Sequence, residues 1–112
     1  GPIDVDLDDS YEDEPTAIKR DTNGGLADQV VLTFTQEVYN YEVGDFRLDA
    51  DATKTPNSIT KDGKKLILNF SEAELDGATD IFYDASFSGD KALTNDLGDK
   101  VLPFEAAITV LP

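Results

Sequence analysis

The chain alternates apolar and polar residues over short stretches, and clusters of Gly, Asn and Asp separate these stretches. Alternation with a period of two is typical of a β-strand that buries one face. The clearest stretch is Gln29–Val38, where Val30, Leu32, Phe34 and Val38 share one side. The pattern predicts seven strands, namely Thr16–Arg20, Gln29–Val38, Asp45–Asp51, Pro56–Thr60, Lys65–Phe70, Ala78–Ser88 and Val101–Leu111.

The prediction is completed by the residues that favour turns and by the side of each strand that is expected to face the core. The pair Asp62-Gly63 indicates a tight hairpin, since glycine supplies the backbone angles that such a turn requires. Ser71–Gly77 favours a single helical turn capped by Ser71, which is too short to be more than a crossover. We expect Asp45 to face solvent and Leu102 and Val110 to face the core. Together the segments predict an all-β, immunoglobulin-like antiparallel β-sandwich of about seven strands.

The length of 112 residues suits one domain with one core. We assign residues 15–112 to the sandwich and residues 1–14 to an acidic linker or N-terminal extension, because this stretch is rich in charge and turn-forming residues. The first two residues, Gly1-Pro2, are typical of the remnant left when a protease removes a tag. We therefore expect a fragment of a longer protein that is monomeric as an isolated domain.

The chain is strongly acidic, with 24 Asp plus Glu against 9 Lys plus Arg and a formal net charge of −15. A field of this sign repels nucleic acid and anionic lipid surfaces, so neither is an expected partner. No apolar run is long enough to insert across a bilayer. Asp accounts for 17 of the 24 acids, and this residue suits turns and the coordination of hard cations.

The composition argues against catalysis. The chain has no Cys and no His, so it lacks a thiol nucleophile, a thiolate metal site and the commonest general base. It also lacks a Gly-x-Ser-x-Gly nucleophile motif. A crosslink from Lys19 to an Asn of the last strand is not expected, because Val101–Leu111 contains no Asn. We therefore expect a protein that is not an enzyme.

Several segments resemble the bacterial Ig-like repeats of adhesins, S-layer proteins and secreted multidomain proteins, including SwmB-like repeats. The resemblance covers roughly residues 15–111, and Asp99 stands where such repeats usually have Asn. It is carried by Val31–Val38, Val43–Phe46, Asp62–Leu68, Ile81–Tyr83 and Leu93–Val101. It implies a spacer or adhesive module at the cell surface or outside the cell, in tandem with neighbouring domains of the same chain and in contact with a cell-surface protein or glycan.

Calcium is the cofactor that the acidic residues favour, because Ca²⁺ takes six to eight oxygen ligands. Three places offer carboxylates. The first is the linker, with Asp4, Asp6 and Asp8. The second is the loop Asn95–Asp99, where Asp96 and Asp99 are joined by Glu37 from another strand. The third consists of Asp49 and Asp51. At each place the alternative is a solvated acidic surface or turn.

A carbohydrate-binding accessory module is the alternative function. Tyr39 and Tyr41 stand two positions apart, and Tyr11 is a third tyrosine outside the clearest strands. In an extended segment the first two rings would face the same way and could stack on a sugar ring. The competing interpretation is that these rings cover the end of the core.

Overall fold

The computed structural model describes residues 9–89 and 91–110. These residues form nine strands, one short α-helix and two 3-10 turns at Val43–Asp45 and Ala85–Phe87. The strands are β1 Ser10–Tyr11, β2 Thr16–Arg20, β3 Gln29–Thr33, β4 Phe46–Leu48, β5 Ser58–Asp62, β6 Lys65–Asn69, β7 Asp80–Tyr83, β8 Lys100–Val101 and β9 Phe104–Val110; the helix α1 is Glu72–Leu75.

Seven of the strands form one curled sheet in the order β4-β7-β9-β2-β3-β6-β5, and β1 pairs with β8 in a second small sheet. Strand β9 makes the curl, because its first half pairs with β7 and its last residues pair with β2. The result is the predicted all-β, immunoglobulin-like sandwich. Most neighbours are antiparallel, but β2 pairs with β9 in parallel, as β1 does with β8.

A single apolar core joins the two halves of the curled sheet. The rings of Phe34 and Phe104 meet edge to face with centroids 5.8 Å apart, and Tyr83 stacks on Phe104 at 5.2 Å. Phe46 lies 5.2 Å from Tyr83 on the other side. Such aromatic pairs contribute packing and a preferred geometry beyond their buried area. The Tyr83 hydroxyl accepts a hydrogen bond from the Leu93 N–H at 2.8 Å, so its polar end is satisfied inside the core.

The third predicted strand is shorter than its alternation suggested. It covers only Phe46–Leu48, because Asp49 and Ala50 adopt positive φ angles of 52° and 60° and turn the chain. The prediction that Asp45 faces solvent is wrong, since this side chain is fully buried. It accepts a hydrogen bond from the Ser88 hydroxyl, 43 positions away in sequence. A distant polar partner therefore overrides the local pattern.

The last predicted strand is divided. Leu102 and Pro103 separate β8 from β9, and proline cannot donate to a strand ladder. The prediction that Leu102 and Val110 face the core is also wrong, because they are 38% and 67% exposed. Ala106, between them, is buried as expected. The break lets β8 join the small sheet while β9 completes the large one.

Part of the N-terminal stretch packs on the sandwich. Ser10–Tyr11 forms β1, the Tyr11 ring packs against the core, and Asp13 is buried. The folded part thus begins before Pro15. Elsewhere in the chain, Ser71 caps the N-terminus of α1 as predicted, because its hydroxyl oxygen accepts the Glu74 N–H at 3.2 Å.

The sandwich has two ends, which we name by their landmarks. The hairpin end contains the turn between β5 and β6, the β3–β4 connection and the segment from β7 to β9; the helix end contains α1 and the loop from β2 to β3. Strands β2 and β9 both run from the hairpin end to the helix end. The residues that the sequence singled out lie mainly at the hairpin end.

Candidate functional site

The loop Asn95–Asp99 is organised by the side chain of Asn95. The Oδ1 atom of Asn95 accepts the N–H of Leu97 at 3.0 Å and that of Asp99 at 2.9 Å. The backbone closes the turn, because the Asn95 N–H donates to the Asp99 carbonyl and Gly98 adopts a φ of 86°. This is the local side chain to backbone bonding that favours Asn in turns. The loop is held by its own hydrogen bonds, with Asp96 exposed and Asp99 half-buried.

Gln36 is the residue of the β3–β4 connection that contacts this loop. The Nδ2 atom of Asn95 donates to Gln36 Oε1 at 3.1 Å and to Asp99 Oδ2 at 3.3 Å. Glu37, which the sequence suggested as the partner, instead forms an ion pair with Lys61 at 2.6 Å. That hydrogen bond, together with the lysine charge, lowers the pKa of Glu37. The two neighbouring side chains thus have different partners.

Asp49 and Asp51 lie at the helix end, and their carboxylates accept hydrogen bonds that stabilise turns. The Oδ1 atom of Asp49 accepts the N–H groups of Thr79 and Asp80 at 3.1 and 3.0 Å. Burial alone raises the pKa of Asp49, but the hydrogen bonds from Thr79 and Asp80 outweigh it and the pKa is lowered. Asp51 accepts the N–H of Thr53 at 2.9 Å, and this bond lowers its pKa. Both carboxylates therefore stabilise loop structure.

Tyr11 lies near the carboxylates of Asp13 and Asp99 at the hairpin end, which the sequence did not place together. Burial raises the pKa of Tyr11 to about 12, and the charges of Asp13 and Asp99 add to this effect. Asp13 was expected in a linker, yet it is buried and bonded to Thr35. Asp4, Asp6 and Asp8 lie outside the described residues. Across residues 9–89 and 91–110, no group of three or more Asp, Glu, His or Cys side chains could hold a metal ion.

Tyr39 and Tyr41 form a partly exposed patch beside Lys61. Their exposed fractions are 37% and 36%, and the Lys61 Nζ atom lies 4.8 Å from the centroid of the Tyr39 ring. The Glu37 hydrogen bond is the largest cause that raises the pKa of Lys61, and both tyrosines contribute to the rise. Both rings are therefore near the same ammonium group, which lies over one face of the Tyr39 ring.

Asn40, between the two tyrosines, has a φ of 62° and donates from Nδ2 to Thr94 Oγ1 at 2.8 Å. It borders a depression of about 530 Å³ that the sequence did not reveal. Its lining comes from separate segments of the chain, so no local motif marks it. The lining residues are Asn40, Ala85, Lys91, Ala92, Thr94 and Lys100.

A second depression of about 350 Å³ lies between residues 12–15 and 102–107. It opens because strand pairing stops after Tyr11 and Val101 and resumes only at Ala17 and Ile108. Its lining includes Glu12, Glu14 and Glu105. A hydrogen bond with Asp80 raises the pKa of Glu105. Burial and the negative charge of Asp80 raise this pKa further. These carboxyl groups lie on an open sheet face.

Comparison with models of protein families, with characterised proteins and with solved structures finds no match. Within the described part of the chain, no helix has the length and apolar character needed to cross a bilayer.

Proposed function

We propose that this chain is a non-catalytic Ig-like module of a large extracellular or cell-surface protein, in which it acts as a spacer. The observation that carries the proposal is the parallel pairing of β2 with β9, in register from Ala17 with Ile108 to Lys19 with Val110. Because both strands run the same way, the start of β2 and the end of β9 lie at opposite ends of the sandwich. A module with this path adds its length to a chain of domains.

The pairing also gives a spacer mechanical resistance. A force applied to the two termini pulls β2 and β9 along their axes in opposite directions, so all hydrogen bonds between them are loaded at once. The other neighbours of these strands, β3 and β7, pair with them in antiparallel ladders and hold them in the sheet. The cell-surface location rests on the resemblance of the sequence motifs to bacterial surface repeats, and the acidic surface keeps such a module soluble.

Single-molecule stretching through the termini tests this proposal. Lys19→Pro removes a backbone N–H from β2, whereas Thr60→Pro makes the same change in the edge strand β5, which pairs only with β6. We expect Lys19→Pro to lower the unfolding force much more than Thr60→Pro, even when their chemical stabilities are similar. A low unfolding force in the unmodified module, or equal losses in the two variants, would contradict the spacer proposal.

A further inference from the structure

The loop between β2 and β3 contains the pair Asn23-Gly24, and Asn23 is the one of five asparagines that glycine follows. Both residues are exposed, and Gly24 adopts a φ of 77°. Apart from its chain neighbours, no heavy atom of the described residues lies within 4 Å of the position that a Cβ of Gly24 would occupy. Without a side chain, glycine samples a wide range of backbone angles and leaves its nitrogen accessible. The Gly24 nitrogen can therefore approach the side chain of Asn23.

Hydrogen bonds hold the Asn23 side chain over the turn that follows it. The Oδ1 atom of Asn23 accepts the Gly25 N–H at 3.1 Å. This donor lies at the oxygen on which negative charge develops when a nucleophile adds to the amide, and it stabilises that charge. The Asn23 N–H donates to Asp21 Oδ1 at 2.9 Å and fixes the start of the turn. In the part of the chain that the structure describes, the Gly24 N–H donates no hydrogen bond, so no such bond must break before its nitrogen reacts.

We propose that Asn23 is a site of spontaneous deamidation, with the Gly24 nitrogen as nucleophile and water as the second reactant. The Gly24 nitrogen attacks Cγ of Asn23, a bond forms between these atoms, and the Cγ–Nδ2 bond breaks. The proton of the Gly24 N–H passes through solvent to Nδ2, which leaves as ammonia, and the product is a cyclic succinimide.

Water then opens the succinimide. Its hydroxyl adds to one of the two ring carbonyl carbons, and its proton goes to the ring nitrogen. Opening at the side-chain carbonyl leaves aspartate at position 23, whereas opening at the backbone carbonyl leaves isoaspartate, in which the main chain runs through the former side chain. No atom is oxidised or reduced, so water is the one reactant that the chain does not itself supply.

Glu72 links this reaction to the helix end of the sandwich. Its Oε1 atom accepts from Asn23 Nδ2 at 3.2 Å, and its Oε2 atom accepts the Leu26 N–H at 3.1 Å. Glu72 is the first residue of α1, so its carboxylate joins the β2–β3 loop to the helix. Deamidation replaces the Asn23 donor with a carboxylate, which repels the charge of Glu72. The reaction therefore releases the loop from α1.

The other asparagines lack this combination of features. Asn95 is 6% exposed, and both ends of its amide are hydrogen-bonded. Asn40 and Asn69 precede aromatic residues, whose side chains hinder the approach of the backbone nitrogen. Asn57 is exposed like Asn23, but a serine follows it. It therefore separates the effect of exposure from the effect of the following glycine.

Peptide mapping by mass spectrometry after incubation in mildly alkaline buffer tests the site. We expect aspartate and isoaspartate to appear at Asn23 well before Asn57 changes. Isoaspartate is diagnostic, because direct hydrolysis of the side-chain amide yields aspartate alone. Gly24→Ala should slow the conversion, since its methyl group hinders the attack. No conversion at Asn23, equal rates at Asn23 and Asn57, or an unchanged rate in Gly24→Ala would each overturn the proposal.

Hydrogen exchange tests the release of the loop. Asn23→Asp reproduces one product, and Asn57→Asp is the matched control, because it adds the same charge at another exposed asparagine. We expect the Leu26 amide to exchange about two- to tenfold faster in Asn23→Asp, the change expected when one hydrogen bond is lost. In Asn57→Asp its exchange should not change. Unchanged exchange in Asn23→Asp, or equal acceleration in both variants, would overturn the link between Asn23 and Glu72.

Discussion

The buried carboxylate of Asp13 accepts hydrogen bonds from Thr35, from its N–H at 3.2 Å and from its hydroxyl at 2.8 Å. This contact ties the segment before β2 to the segment after β3, although the two residues are 22 positions apart. Asp13 is only 2% exposed. The contact therefore anchors the segment before β2 on the chain that follows β3.

Removing this carboxylate should destabilise the fold. We expect Asp13→Ala to lower the free energy of unfolding by about 1–3 kcal/mol, because it leaves the donors of Thr35 without their acceptor. Asp13→Asn keeps one acceptor oxygen and should lose less. Urea denaturation measures both, and Glu12→Ala is the control at an exposed neighbour, where a change within about 0.5 kcal/mol is expected. Equal losses for Asp13→Ala and Glu12→Ala would contradict the anchoring role.

The Tyr83 hydroxyl gives a second prediction for stability. Tyr83→Phe keeps the ring stacked on Phe104 but removes the acceptor of the buried Leu93 N–H. We expect a loss of about 1–3 kcal/mol, the cost of an unsatisfied buried donor. Thermal unfolding checks this value. Tyr41→Phe is the matched control, since Tyr41 is partly exposed and no comparable loss is expected. A neutral Tyr83→Phe would show that another acceptor replaces the hydroxyl.

The pair Asp80 and Glu105 predicts a pH effect. The Asp80 hydrogen bond raises the folded-state pKa of Glu105 above its unfolded value, so the folded state binds the proton more tightly than the unfolded state. The resulting stabilisation is fully present below the unfolded pKa and is lost as the pH rises through the folded pKa. At neutral pH two carboxylates then repel each other.

Glu105→Gln should therefore raise the melting temperature at pH 7, because the amide donates to Asp80 without a charge. The gain should shrink in acid, where the native carboxyl is already protonated. Melting curves from pH 3 to pH 8 measure this difference, with Glu12→Gln as a control at another exposed carboxylate. A gain that is the same at all pH values would show that removal of net charge, and not the pair, is responsible.

Calcium remains a prediction for the acidic positions. A ligand that binds only the folded state adds about 2.7 kcal/mol of stability at a hundredfold excess over its Kd. We expect millimolar Ca²⁺ to raise the melting temperature more than NaCl of equal ionic strength. Loss of this excess in Asp96→Ala or Asp99→Ala would assign the ion to the Asn95–Asp99 turn, and loss in the double variant Asp4→Ala, Asp6→Ala would assign it to the N-terminal segment. Equal effects of the two salts would contradict specific binding.

The sequence predicted the position of several strands, although the predicted strands Gln29–Val38 and Ala78–Ser88 end earlier, at Thr33 and Tyr83. The bounds of β2 agree with the prediction, and β6 differs only at Phe70, which is buried as expected. The interruptions depend on tertiary partners. Asp45 is buried because Ser88 reaches it from another segment, and the chain turns at Asp49 because this carboxylate bonds to Thr79 and Asp80. No local pattern contains those partners.

The same distinction applies to the candidate sites. The spacing of Asn95, Gly98 and Asp99 indicated a tight, polar turn, and the structure shows one. The lysine-lined depression was not predictable, because Asn40 and Lys100 become neighbours only when the chain has folded. The ion pair of Glu37 with Lys61 was not predictable for a related reason, because it depends on the position of the β5–β6 hairpin.

The parallel pairing of β2 with β9 also governs when the domain can fold. Ala17 and Ile108 are register partners although they stand 91 positions apart (108 − 17). The chain must close this long loop before the contacts between β2 and β9 form, and contacts so remote in sequence slow folding. During synthesis on a ribosome, β2 therefore cannot pair with β9 until nearly the entire domain has emerged. The pairing of β2 with β9 is therefore a late step of folding.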